Sequence, residues 1–150
     1  MSYEEWLNNI EALTNKNDYN ILKEIENATY NPNIETLLTP KLEDLFNIKL
    51  AKSINNIVNS LEMIYKDQNE LDMCMIEFKK NIEFIYRLSK INQLKPEKQK
   101  ELIDRLKKES DNTYDILEKQ AVRIDNIGIF QMIIRNNRIK WSENNELQWD

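Results

Sequence analysis

The sequence predicts an all-α protein, an antiparallel helical bundle of three long helices with two shorter N-terminal helices packed on it. Three observations carry this. Apolar residues recur at helical spacing over runs of about 25 residues. The 150-residue chain holds one glycine and three prolines, so little interrupts those runs. Apolar residues make up 41% of the chain and charged residues 31%, a balance that supplies a core and argues against disorder.

Ser2 and Glu5 have capping-box spacing, and Trp6, Ile10 and Leu13 follow at helical intervals, so a first helix is expected from Tyr3 to Thr14, ended by Asn15 and Asn17. Asn17 or Asp18 can cap a second helix carrying Ile21, Leu22 and Ile25, which stops before the Tyr30-Asn31-Pro32-Asn33 turn. A short apolar piece, Ile34 to Leu38, leads into Thr39-Pro40. Proline is favoured in the first helical turn because its missing amide has no partner there in any case, so this pair reads as a helix start. From it Leu42, Phe46, Leu50, Ile54, Ile57, Leu61 and Ile64 step by four and three, giving a helix over 40–66. Asp67 and Glu70 repeat the capping-box spacing and place a reversal near Lys66 to Asn69. The next helix, 70–93, carries Leu71, Cys74, Met75, Phe78, Ile82, Ile85 and Leu88 on one face. Lys95-Pro96-Glu97 starts another over 96–126, because the residue before proline is pushed out of helical angles.

Helices of this size are about 40 Å long and match in length, and their short connections favour antiparallel neighbours. The stripes nominate Phe46, Ile54, Ile57, Phe78, Ile82 and Leu106 as core. Residues 127–141 fit either a short helix or the first arm of a hairpin; helix is favoured, since an isolated hairpin is marginal in water. The expected organisation is a single domain over 1–141 and a C-terminal tail over 142–150. In a chain with one glycine, asparagine is the next residue able to take left-handed backbone angles, so the asparagines punctuate the helices.

Several chemistries are disfavoured by what is missing. The chain has no histidine, the usual proton shuttle near neutral pH and the commonest metal ligand. Its single cysteine, Cys74, sits on the apolar side of a helix with no second soft ligand at metal spacing, so core packing is expected. Ser53, Ser60, Ser89 and Ser110 have no histidine to activate them. No glycine-rich phosphate loop, regular acidic cation loop or Glu-x-x-His pair occurs, and the many carboxylates read as solvated faces and caps. No catalytic residue, cofactor, metal or small-molecule substrate is therefore expected.

The acidic N-terminus lacks the pattern of a secretion signal, and the apolar stretch Ile127 to Ile134 is far short of a membrane span, so a cytoplasmic setting is expected. The abundance of asparagine, isoleucine and lysine suggests a low-GC bacterium or its phage.

Charge is unevenly spread. Residues 1–35 hold seven acids and two lysines, whereas residues 76–110 hold ten basic and six acidic residues, in a chain of net charge −5. The favoured reading is an internal match of acidic N-terminal helices against the basic part of the bundle; the sharper one is association through opposite poles. Lys95, Lys98, Arg105 and Lys108 are weak candidates for contact with a nucleic-acid backbone, but acids alternate with them and the net charge opposes it. The C-terminal stretch gives the best interface candidates: Phe130, Met132, Ile134, Arg135, Arg138, Trp141 and Trp149 combine large apolar and aromatic groups with arginine. The competing expectation for this stretch is that Phe130 and Ile134 close the end of the core. The sequence thus points to a non-enzymatic, protein-binding accessory or assembly subunit that engages another protein or a second copy. Alternatives are an acidic inhibitor, of the phage anti-defence or immunity type, that blocks a cationic site, and a small subunit of a nucleoprotein complex.

Overall fold

The computed structural model describes residues 1–60, 68–121 and 127–148. It is all-α: six helices pack against one another, and the only strands among these residues form one short hairpin. In chain order these are α1 (Tyr3–Asn15), α2 (Tyr19–Asn27), α3 (Glu35–Asn59), α4 (Gln68–Ser89), α5 (Pro96–Ala121), α6 (Ile127–Asn137), β1 (Lys140–Trp141) and β2 (Leu147–Gln148).

The N-terminal caps are formed as their chemistry dictates. Ser2 Oγ accepts from the Glu5 amide at 3.1 Å, and Asp18 Oδ1 accepts from the amides of Asn20 and Ile21 at 2.9 and 3.2 Å. Each bond satisfies a first-turn donor that has no partner within the helix. Helix α3 departs from expectation by starting at Glu35 instead of at Pro40. Leu38 is fully buried and its amide bonds the Ile34 carbonyl at 2.9 Å, so packing extends the helix ahead of the proline. Pro40, in the second turn, lacks the amide that would bond the Thr36 carbonyl, a cost that the burial of Leu38, Leu42 and Leu45 around it outweighs. The expected extension of this helix over 61–66, the Asp67 cap and the expected end of α5 over 122–126 lie outside the described residues.

Contacts define the relative directions of the long helices. Lys49 of α3 lies over the Phe84 ring of α4 at 5.1 Å, while Ser60 shares a cleft with Cys74, so α3 and α4 run antiparallel. Tyr86 of α4 lies beside Gln99 and Ile103 of α5, and Phe78 meets Tyr114 edge-on at 5.4 Å, which makes that pair antiparallel too. Helix α3 runs parallel to α5, with Lys98 on Glu43 at 3.3 Å and Arg105 on Asn47 at 2.8 Å. Helix α1 packs on α3, α2 on α4, and α6 against both α4 and α5.

The shared core contains Trp6, Leu13, Phe46, Ile57, Phe78, Ile82, Leu106 and Tyr114. Ile54, expected inside, is only partly buried and packs on the edge of this core. Ser53, Ser89, Ser110 and Thr113 are buried polar residues, and each hydroxyl donates to a carbonyl three or four residues earlier. Helix backbone thus satisfies them without any outside partner.

Gln93, 2% exposed, ties two connections together. Its Oε1 accepts from the Asn31 amide at 3.0 Å and its Nε2 donates to the Asn31 carbonyl at 2.9 Å, bracketing the turn before α3. Gln93→Ala leaves both backbone groups without these partners and should lower unfolding stability by about 2 kcal/mol in chemical denaturation. A loss under about 0.5 kcal/mol would show that water replaces the side chain freely.

Residues 142–148, expected to trail as part of a tail over 142–150, instead fold back. Lys140 pairs with Gln148 and Trp141 with Leu147, and Leu147 is buried. The turn between them places Asn145 at φ 58°, a left-handed angle that asparagine tolerates. Its side chain accepts from Lys107 at 3.1 Å and donates to Asp104. The hairpin is not isolated, which removes the objection that a two-stranded ribbon is marginal in water.

Candidate functional site

Two regions bear on function. The first is the C-terminal corner, where the sequence places its interface candidates. Helix α6 is amphipathic, and its apolar face meets α4 and α5. Phe130 and Ile134 are 3% and 0% exposed, so they belong to the core and do not form a contact surface. Arg138 is committed internally: it reaches Asp115 at 3.0 Å, Glu118 at 3.6 Å and Asp111 at 3.8 Å, and lies 5.5 Å above the Tyr114 ring. Burial holds the Asp111 carboxyl above its ordinary range, against the opposing pull of Arg138 and Lys107. Burial likewise raises the Tyr114 phenol, which lies next to the Ile139 backbone with no partner meeting hydrogen-bond geometry. Trp141 packs edge-on against Tyr86 at 5.9 Å, with its indole N–H buried and without a hydrogen-bond partner among the described residues. It is therefore part of the packing, and replacing it disturbs the hairpin. Trp149 lies outside the described residues.

What remains at the surface is Met132, 55% exposed, and Arg135, which reaches Glu118 at 3.9 Å. Asn137 donates to Asp72 at 3.3 Å, so α6 lies against the start of α4. That end of the bundle also leaves Met73, Ile76 and Ile129 exposed, Met73 to 70%.

The second region escaped the sequence reading. A half-open cleft of about 200 Å³ lies where the α1–α2 connection crosses α3 and α4, lined by Lys16, Asn17, Lys49, Lys52, Ser53, Asn56, Glu77 and Asn81 among others. Lys49 is only 7% exposed. Its Nζ donates to Asn17 Oδ1 at 2.6 Å, Asn17 Nδ2 donates to Asn81 Oδ1 at 2.9 Å, and Lys52 Nζ reaches the Thr14 carbonyl at 3.3 Å. Burial, then repulsion from Lys52, lowers the Lys49 pKa from 10.5 to about 8. A second, smaller cleft continues along the same seam from Ser53 and Asn56 to Ser60 and Cys74. Cys74, expected in the core, is half-buried at its edge, and burial pushes its thiol upward. The signal for this seam is a second stripe on α3: Lys49, Ser53, Asn56 and Ser60 step by four, three and four alongside the apolar one.

The backbone-contact candidates are largely engaged. Lys95 pairs with Glu35 at 3.2 Å, Lys98 with Glu101 at 3.1 Å and Glu43 at 3.3 Å, and Arg105 lies 5.2 Å above the Phe46 ring. Lys108 is exposed. Arg87 on α4 likewise holds Glu26 on α2 through a two-pronged contact. Acids of the first 35 residues thus meet the basic segment inside one chain.

Among the described residues, no helix is long and apolar enough to cross a membrane, and no group of three His, Cys, Asp or Glu residues could hold a metal ion. Comparison with protein-family models, curated proteins and solved structures gives no match.

Proposed function

We propose that this chain is a non-enzymatic, protein-binding helical subunit of the cytoplasm, and that it engages its partner with the end of the bundle formed by α6 and the start of α4. The observation that supports this reading is the exposure of Met73 and Ile76 on α4 and of Ile129 and Met132 on α6. Methionine is adaptable and enriched at binding surfaces, and the bundle already has a closed core without these four side chains. Arg135 at the same end adds a charged group suited to an interface rim. The partner is a protein with an apolar face of its own. The nucleoprotein alternative is less favoured, because Lys95 and Lys98 are already engaged with carboxylates and Arg105 with Asn47.

Site-specific photo-cross-linking in the native host tests it. A photoreactive residue at 73 or at 132 should give the same protein adduct, and Ile76→Glu should abolish it. Leu37, 60% exposed on α3, is the control position. Absence of an adduct at 73 and 132, or an equal yield at 37, would overturn the proposal.

A further inference from the structure

The geometry points to a binding site for a small oxyanion, a ligand bearing a phosphate or carboxylate group, in the cleft between the α1–α2 connection, α3 and α4. This site is separate from the apolar end of the bundle, and nothing in the protein-binding reading calls for it.

Charge is the first reason. The charged groups facing the cleft are Lys16 from the α1–α2 connection, Lys49 and Lys52 from α3, and Glu77 from α4, three cations to one carboxylate in a chain of net charge −5. None of the three lysines makes an ion pair among the described residues. Positive charge exceeds negative in this cleft, where Glu77 is the one carboxylate among the described lining residues.

Burial is the second. Lys49 is almost wholly withdrawn from solvent; its ammonium lies 5.1 Å from the Phe84 ring centroid, and its hydrogen-bond acceptor among the described residues is the neutral Asn17 amide oxygen. Removing an ammonium group from water without a counter-charge is unfavourable, and a second ammonium beside it, Lys52, makes it more so. An anion seated between the two would relieve both penalties at once.

Shape and donors are the third. The Lys49–Asn17–Asn81 chain of hydrogen bonds orients the asparagine amides and leaves Asn81 Nδ2 with no acceptor among the described residues. Asn56 lines the same wall. A held amide donor, Asn81 Nδ2, beside two ammonium groups in a cleft of about 200 Å³ suits a compact ligand with several acceptor oxygens. Glu77 opposes an anion from the α4 side and so sets the affinity without defining the site.

The test is calorimetric titration of the full chain with inorganic phosphate, pyrophosphate and malonate, each against sodium chloride at matched ionic strength. Saturable binding with a dissociation constant in the millimolar range or tighter is expected for at least one, and the phosphate and carboxylate arms tell the two ligand classes apart. Lys52→Met, at an exposed position, should weaken it about tenfold without affecting the fold, and Lys49→Met should abolish it. Glu77→Gln should tighten it severalfold, which a merely structural role for the cleft would not produce. Affinity should fall as pH rises through the Lys49 titration, since the ammonium form is the one that binds. Binding by none of the three anions, or binding unchanged in both lysine variants, would overturn the assignment.

Discussion

Ile57→Asp should leave the chain unfolded, or lower its stability by more than about 4 kcal/mol. Ile57 is 4% exposed and belongs to the central core. A carboxylate there has no cation within reach among the core residues, so it must either be buried unpaired or open the packing. Total stabilities of domains this size are about 5–15 kcal/mol, so one such change consumes most of the margin. Ile48 on the same helix is 41% exposed, and Ile48→Asp should change stability by no more than about 0.5 kcal/mol. Chemical denaturation of the two variants checks both halves. Equal effects would mean that the inner face of α3 is wrongly placed.

Lys49→Met should raise stability at pH 7 by about 2 kcal/mol, an unusual direction for a change at a buried site. The sign follows from the titration. The folded-state pKa of about 8 lies below the ordinary 10.5, so between these values the unfolded chain binds more protons than the folded one. Stability of the natural protein therefore rises as pH climbs from about 8 to 10.5, and below about 8 the whole penalty is in force. Methionine keeps most of the side-chain volume and removes the charge. The lost bond to Asn17 returns about 1 kcal/mol of the gain. In the variant the rise across that pH window should disappear. A destabilisation at pH 7 with the rise retained would show that the ammonium is well compensated in the fold. A charge that costs stability in this way is the kind of feature found where a binding group is held in readiness.

The helices were legible because their evidence is local. Ser2, Asp18 and Pro96 mark starts through chemistry confined to one turn, and the apolar stripes need only the period of the helix. The start of α3 was misplaced because the burial of Leu38 depends on tertiary packing, which outweighed the Thr39-Pro40 signal. The hairpin was missed for a related reason: Trp141 and Asn145 are held by Tyr86, Lys107 and Asp104, partners far away in sequence. Composition nominates Phe130, Ile134 and Arg138 for contacts with a partner. It could not tell that their contacts lie within the chain. The lysine cleft left the faintest trace, since a lysine on a helix ordinarily reads as solvated. Only the α1–α2 connection and α4, closing from two sides, take Lys49 out of water.

Whether the buried Lys49 ammonium, which has no carboxylate partner among the described residues, awaits a counter-ion is tested most directly by following its side-chain amine through a pH titration by NMR, with and without phosphate. The expected midpoint is about 8 in the free protein, moving upward when the anion is bound. A midpoint at the ordinary 10.5, indifferent to phosphate, would contradict the account and reduce the cleft to a solvated groove.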